Sequence, residues 1–173
     1  FAVANAVPTA EGAIAIAMNE LPVTIDGASV LVVGYGRIGK LLAAKLKSLG
    51  ANVTASARRD DDIAWIKASG INSARTGKLG ETIDRIRPDV IFTTVPHTVI
   101  AKKELEVCGD ALIIDLASKP GGVDIAAAGA LGKRAIWALS LPGKTSPVTA
   151  GRIIADTVMM RITEISGGGE KKC

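Results

Sequence analysis

Aromatic residues, cysteines and long apolar runs are all scarce in this sequence. Aromatics make up 3% of the 173 residues, so we expect a core built from aliphatic side chains. The two cysteines, Cys108 and Cys173, lie far apart. This excludes a disulfide framework, argues against a metal site and favours a reducing, cytoplasmic location. No apolar run approaches the roughly 18 residues that a membrane span needs, so we expect no membrane partner.

The abundant residues indicate a globular α/β protein. Hydrophobic residues make up 48% of the chain and charged residues 22%, with 19 glycines, which excludes the collagen-like and disordered classes. Lys and Arg total 21 against 17 for Asp and Glu, a net charge of +4. This excess is too small and too dispersed to indicate a nucleic-acid partner, but it is compatible with an anionic small ligand.

Short apolar runs alternate with segments of helical spacing along the chain. The pattern predicts strands at 29–33, 52–56, 71–74, 89–94, 111–115 and 134–138, and helices at 8–21, 37–49, 60–69, 79–87, 101–106, 125–131 and 149–165. Strands that alternate with crossover helices predict an α/β fold, a doubly wound parallel sheet in a three-layer αβα domain of the Rossmann type. We expect residues 1–166 to form this one domain and residues 167–173 to form a disordered tail. Because the chain begins abruptly at Phe1, we also expect it to be the C-terminal part of a two-domain subunit.

A G-x-G-x-x-G motif follows the first predicted strand and opens the next helix. Its residues are Gly34, Tyr35, Gly36, Arg37, Ile38 and Gly39. In this context Gly34 allows a tight turn, Gly36 lets a pyrophosphate approach the backbone, and Gly39 lets the helix pack on the strand. The alternative, a glycine-rich turn that binds nothing, remains open.

The residues after the second strand favour NADP over NAD. An NAD-binding domain normally has an acidic residue there, which binds the adenosine ribose, whereas this sequence has Ser56, Arg58 and Arg59. A hydroxyl and two guanidinium groups suit a ribose 2′-phosphate. The acidic residues at 60–62 are a competing explanation, because they could pair with the arginines instead.

Further candidate residues stand at the carboxyl ends of later strands, where ligands of such sheets bind. They are Thr94, Val95 and Pro96 after the fourth strand, Asp115, Leu116, Ala117, Ser118 and Lys119 around the end of the fifth, and Pro142 and Gly143 in a loop predicted at 141–149. Asp115 could instead cap the following turn, and Lys119 could simply be solvated.

Taken together, these segments resemble the family of dipicolinate synthase A subunits. The resemblance is carried by Asn5 with 8–14, by 34–39, by Ala57 and Arg58, by 115–122 with Asp124, and by 141–143 with 149–153. The segments at 8–12 and 115–122 are more specific than the glycine motif. His97 and residues 144–146 depart from the family pattern, so no role is carried over to His97 or Lys144.

The resemblance implies an NADP-dependent oxidoreductase that oxidises a dihydrodipicolinate-type precursor to dipicolinate, with hydride transfer to NADP and beside a flavoprotein-like B subunit. The substrate would be a small dicarboxylate ring, and we expect a homo-oligomer. Thr9 and Glu11 at the first helix, and Ser118 and Lys119 after the fifth strand, are the candidate catalytic residues. Lys119 would pair with a carboxylate, and Glu11 would relay a proton unless it only stabilises the first helical turn.

Two other functions remain open. The segment at 26–50 also resembles the cofactor domain of D-2-hydroxyacid dehydrogenases, which need an Arg after the fifth strand and a later His paired with a carboxylate. This sequence has Lys119 after that strand, and its one histidine, His97, comes earlier. The other alternative is a non-catalytic NADP-sensing module, which would not need Ser118 or Lys119.

Overall fold

The computed structural model describes residues 2–167. Six parallel strands form one sheet in the order β3-β2-β1-β4-β5-β6. The strands are Ser29–Val33 (β1), Asn52–Ala57 (β2), Asn72–Arg75 (β3), Val90–Thr93 (β4), Leu112–Asp115 (β5) and Ala135–Trp137 (β6). The helices are Ala6–Glu20 (α1), Arg37–Ser48 (α2), Asp60–Ala68 (α3), Leu79–Ile86 (α4), Lys102–Val107 (α5), Ile125–Ala130 (α6), Leu141–Thr145 (α7) and Pro147–Gly167 (α8). The predicted fold class is confirmed.

The strand order reverses beside β1, which is central to the sheet. β1 pairs with β2 on one side, where Val30 faces Val53, and with β4 on the other, where Val30 faces Val90. β-Branched and other aliphatic side chains fill these strands because helices cover both faces of a parallel sheet. The carboxyl ends of β1 and β4 therefore diverge into loops on opposite sides, which leaves a crevice at this edge of the sheet.

Aliphatic side chains form a separate core on each face of the sheet. On one face Leu42 and Leu46 of α2 and Ile66 of α3 are fully buried. On the other, Ile83 of α4 and Leu105 of α5 are fully buried. The expectation of an aliphatic core is confirmed.

The main differences from the predicted helices lie at the start of α1 and at 141–149, and the other helix ends differ by at most two residues. α1 begins at Ala6 rather than at residue 8, and the hydroxyl of Thr9, inside the first turn, donates to the backbone oxygen of Asn5 at 2.7 Å. The predicted loop at 141–149 contains α7 and the first residues of α8. Both helices in that loop start near a proline, which is favoured in the first helical turn because it has no N–H to leave unpaired.

The last helix, α8, packs on the rest of the chain along a narrow face only. Ala150 is buried and Ile153 is half-buried, whereas the apolar side chains on other faces are between 50% and 79% exposed: Val148, Ile154, Val158, Ile162 and Ile165. α8 reaches Gly167, one residue into the predicted tail, and the rest of that tail lies outside the described residues. Within residues 2–167 no helix has both the length and the apolar character to cross a membrane.

Candidate functional site

A cavity of about 1110 Å³ opens at the carboxyl edge of the sheet, over the crevice beside β1 and β4. Its lining comes from the loops that follow each of the six strands and from the start of α1. The lining residues are Asn5, Thr9, 34–38, Lys40, 57–59, Asp62, Thr76, 94–97, 116–118 and 138–142.

The turn after β1 holds α2 tightly against the sheet. Gly34 has a φ of +98°, which favours glycine, and its N–H donates to the backbone oxygen of Ser56 at 3.1 Å. A Cβ on Gly34 would lie 2.6 Å from Oγ1 of Thr94, and a Cβ on Gly39 would overlap the carbonyl oxygen of Gly34. Gly39 therefore has the packing role predicted for it, and its position lies behind the cavity rather than on its lining.

The second glycine of the motif faces free space. A Cβ on Gly36 would have no neighbouring atom within 4 Å in the described structure, and Gly36 is the N-terminal capping residue of α2. Having no side chain, it leaves the first N–H groups of the helix accessible from the cavity. A free approach to these groups, together with the positive end of the helix dipole, suits a phosphate. Tyr35, Arg37 and Ile38 line the same part of the cavity.

The two adjacent arginines after β2 both line the cavity, but their surroundings differ. The Arg59 guanidinium pairs with Asp62, with 3.0 Å between Nε and Oδ2, and this contact raises the pKa of Arg59. Asp60 pairs with Arg75 instead. Within residues 2–167 no ion pair involves Arg58. The competing explanation of the sequence analysis therefore applies to Arg59 and not to Arg58.

Ser56, a predicted cofactor-binding residue, does not reach the cavity. Its side chain is fully buried and its Oγ lies 3.4 Å from Oγ1 of Thr76. Thr76, which follows β3, lines the cavity beside the arginines. The hydroxyl predicted at this place thus comes from the neighbouring strand end.

Asp115, another predicted cofactor-binding residue, is buried and does not line the cavity. Its carboxylate accepts hydrogen bonds from the backbone N–H groups of Ala117 at 2.9 Å, Gly122 at 2.7 Å and Val123 at 3.2 Å. Burial raises the pKa of Asp115, and the three N–H donors lower it, so the net shift is upward. The carboxylate therefore holds the loop at 116–123 in place. This role is close to the alternative in which Asp115 caps the following turn.

The remaining predicted residues divide into those that line the cavity and those that do not. Thr9, Thr94, Val95, Pro96, Leu116, Ala117, Ser118 and Pro142 line it. Lys119, Glu11 and Gly143 are not on its lining. Lys119 is exposed, and the Glu11 carboxylate pairs with Lys45 of α2, with 2.9 Å between Oε1 and Nζ. The structure therefore brings Thr9 and Ser118 to one cavity but leaves Lys119 and Glu11 outside it.

Several lining residues were not predicted as site residues. They include Asn5, Lys40, Asp62, Thr76, His97 and Ser140. Thr76 and Ser140 come soon after β3 and β6. The expectation that ligands bind at the carboxyl ends of strands, if applied to every strand, selects them as well. No feature of the sequence marks Lys40 as a site residue. Its ammonium lies over the Tyr35 ring, 5.5 Å from the ring centre, and this contact is seen only in the folded structure.

The arrangement suits a dinucleotide. A pyrophosphate would lie over Gly36 at the start of α2, one nucleoside would extend toward Arg58 and Thr76, and the other toward Ala117 and Ser118. The end of the cavity near Arg58 and Thr76 has cationic side chains, whereas the end near Ala117 and Ser118 has mainly neutral hydroxyl and backbone groups.

Comparison with known proteins gives consistent results. Residues 9–134 match the family described as "D-isomer specific 2-hydroxyacid dehydrogenase, NAD binding domain". The dipicolinate synthase A subunit of Bacillus subtilis (strain 168) is 37% identical over 165 residues, which are 95% of this chain and 55% of that protein.

The solved structures that are similar to the chain include two dipicolinate synthase A subunits. The dipicolinate synthase A chain from Bacillus subtilis matches with a TM-score of 0.92 at 36% identity, over 96% of this chain and 56% of the other. The dipicolinate synthase A subunit from Bacillus halodurans matches with a TM-score of 0.88 at 39% identity, over 92% and 54%. The chain thus spans about half the length of the relatives that it matches.

Proposed function

The chain belongs to the family of D-isomer specific 2-hydroxyacid dehydrogenase NAD-binding domains, and we propose that it serves as the NADP-binding part of a dipicolinate synthase A subunit. The family makes it a dehydrogenase-type domain for a nicotinamide dinucleotide. The observation that carries the finer proposal is the shared cavity, in which the turn at 34–38 and the loop at 116–118 face the same space. Both segments also carry the resemblance to the dipicolinate synthase A subunits.

The preference for NADP rests on the groups beside the first nucleoside position. Arg58 lines the cavity without an ion-pair partner among residues 2–167, and Thr76 adds a hydroxyl next to it. A guanidinium makes two parallel hydrogen bonds to a phosphate, which an unmodified ribose hydroxyl cannot match. Asp62 neutralises Arg59, so that Arg58 is the main donor for a 2′-phosphate.

The proposed reaction is the oxidation of a dihydrodipicolinate-type ring to dipicolinate. When bound, NADP supplies the hydride acceptor, and the second hydrogen leaves the ring as a proton. Ser118 lines the cavity and would hold a substrate carboxylate through its hydroxyl group, whereas the Thr9 hydroxyl, which lines the same cavity, donates to the backbone oxygen of Asn5. Since formation of the aromatic ring itself drives the oxidation, the protein's main task is to position the ring. Lys119 stays a candidate partner for the second carboxylate.

The partners and location also remain proposals. The resemblance supports a flavoprotein-like B subunit and a homo-oligomer, and the scarcity of cysteine supports a cytoplasmic location. A D-2-hydroxyacid dehydrogenase activity is less well supported, because Lys119 stands where that activity needs an Arg. In addition, His97 has no ion-pair partner within residues 2–167.

The test is an activity assay on the complete A subunit that contains this chain, with its B subunit, a dihydrodipicolinate-type precursor and either NADP or NAD. We expect the ultraviolet absorbance of dipicolinate to appear with NADP and to be much slower with NAD. Tight NADPH binding without any turnover would reject the synthase proposal in favour of the sensing module. Turnover of 2-hydroxy acids instead would favour the dehydrogenase alternative.

A further inference from the structure

A second cavity, of about 540 Å³, lies between α2 and α3. It is lined by Tyr35, Lys40, Ala44, Lys47, Ser48, Trp65, Ser69 and Ile71. Only Tyr35 and Lys40 also line the cavity of about 1110 Å³ described above, which we call the cofactor cavity. The two cavities are therefore neighbours that share one wall. Nothing in the proposed reaction uses this second space.

Hydrogen bonds fix the shared wall. The Tyr35 ring is buried, and its hydroxyl donates to Oγ of Ser69 at 3.3 Å. Oγ of Ser69 in turn donates to the backbone oxygen of Trp65 at 2.9 Å. Lys47 Nζ donates to the backbone oxygen of Ser69 at 2.7 Å, which uses one of its three N–H donors and leaves two for a ligand.

The lining combines positive charge with an exposed aromatic face. Lys40 and Lys47 are seven residues apart on α2, about two helical turns, and therefore lie on one side of the helix. The lining contains no acidic residue to neutralise them. The Trp65 side chain opposite them on α3 is 63% exposed, which is unusual for so large an apolar ring. Two ammonium groups facing an indole suit a flat ring that carries two carboxylates.

We propose that this second cavity is a regulatory site for a planar aromatic dicarboxylate, with the ring against Trp65 and the carboxylates on Lys40 and Lys47. The choice of ligand rests on the proposed function, because dipicolinate, the product of the proposed reaction, is a planar aromatic ring with two carboxylates. Occupation would draw the Lys40 ammonium away from the cofactor cavity and so remove a positive charge from the neighbourhood of the phosphates. Product in the second cavity therefore weakens NADPH binding, and NADPH weakens product binding by the same factor.

The experiment titrates the protein with dipicolinate and follows tryptophan fluorescence, excited at wavelengths that dipicolinate does not absorb. Trp137 contacts Ala117 of the cofactor cavity and adds a signal of its own. We therefore expect a separate saturable quenching component that Trp65→Phe removes and that Lys47→Gln weakens at least about tenfold, as loss of a charge-assisted bond would. Lys67→Gln, an exposed lysine of α3 outside the lining, is the matched control and should leave the titration unchanged.

Two related compounds test the recognition. Isophthalate has the same carboxylate spacing without the metal-chelating nitrogen and should bind comparably, whereas benzoate has one carboxylate and should bind at least about tenfold more weakly. Equal binding of benzoate would overturn the two-lysine recognition. Quenching that is the same in amplitude and affinity in the wild type, Trp65→Phe and Lys47→Gln would place dipicolinate elsewhere and overturn the site.

A last measurement separates this inference from the proposed function. NADPH affinity is determined with and without saturating dipicolinate, and we expect a several-fold loss in the wild type that Lys47→Gln abolishes. Failure of this coupling alongside normal turnover in the complete protein would reject only the regulatory site. Binding at Trp65 without any turnover would reject only the synthase reaction.

Discussion

Asp62 holds the guanidinium of Arg59 through two contacts, Nε to Oδ2 at 3.0 Å and Nη2 to Oδ1 at 3.4 Å. The neighbouring Arg58 lines the same cavity, and its backbone oxygen accepts a hydrogen bond from Nη1 of Arg75 at 3.0 Å, whereas its guanidinium has no ion-pair partner among residues 2–167. Two consecutive arginines therefore differ in how freely they can meet a ligand. The difference can be measured because each can be removed alone.

Arg58→Ala should weaken NADPH binding by about ten- to hundredfold, as expected for a lost charge-assisted hydrogen bond. NADH binding should change little, because NADH has no 2′-phosphate. Arg59→Ala is the matched control and should cost less, since its charge is already engaged by Asp62. Titrations of each variant with both cofactors measure these effects. Equal losses for NADPH and NADH in Arg58→Ala would remove the 2′-phosphate assignment.

Gly36→Ala should abolish cofactor binding while leaving the fold intact. Its Cβ would enter free space in the protein alone and would occupy the space that a pyrophosphate needs. Gly39→Ala should instead lower the stability of the fold, because its Cβ would overlap the Gly34 carbonyl oxygen.

Urea unfolding and cofactor titration together separate the two glycine variants. Gly129→Ala, whose Cβ meets nothing within 4 Å in the described structure, controls for the substitution itself and should change neither property markedly. Normal cofactor affinity in Gly36→Ala would show that no phosphate lies over this turn.

Asp115→Asn should lower the free energy of unfolding by about 1–3 kcal/mol, the usual result of facing an N–H donor with another donor. An amide in place of the carboxylate would leave an NH₂ group toward at least one of the N–H groups of Ala117, Gly122 and Val123. Chemical unfolding of both proteins at the same fixed pH measures the loss. An unchanged stability would show that the carboxylate does not hold the loop.

The stability of the wild type should also depend on pH through Asp115. Because burial raises the pKa of Asp115 in the folded state, the folded protein binds more protons than the unfolded one between the ordinary and the raised value. The contribution of Asp115 to stability is therefore full below the ordinary pKa and falls as the pH rises through the raised one. Asp115→Asn should lack this slope, and parallel pH curves for the two proteins would contradict the assignment.

Ser118→Ala should reduce turnover by the complete protein more than Lys119→Ala does. Ser118 lines the cofactor cavity, whereas Lys119 is exposed outside its lining. Steady-state kinetics with the dihydrodipicolinate-type precursor compares them, with NADPH titration as a check that cofactor binding survives. A larger loss in Lys119→Ala would restore that lysine to the site.

The fold could be predicted because its signals are local and repeated: buried strands read as apolar runs, and glycines or prolines punctuate them. The Gly34 to Gly39 turn could be predicted for the same reason, since each glycine answers a backbone requirement. The role of Asp115 could not be predicted, because a carboxylate at a strand end looks the same in the sequence whether it faces a ligand or its own loop. Glu11 lies beyond the first turn of α1, because the helix begins at Ala6 rather than at residue 8.

Lys40 and Thr76 show a different limit of sequence reasoning. Thr76 reaches the cavity because β3 lies beside β2, which brings its Oγ1 to 3.4 Å from Oγ of Ser56. Lys40 is close in the chain to Tyr35, but the contact of its ammonium with the Tyr35 ring depends on the conformation of the turn. No periodicity records such contacts. They become visible only when the fold is known.

The anchoring of the loop at 116–123 by one buried carboxylate has a consequence for binding. The loop loses its conformational freedom when the protein folds, so this rim of the cavity is preorganised before any ligand arrives. Ligand association then carries a smaller entropic penalty from this segment than it would from a free loop.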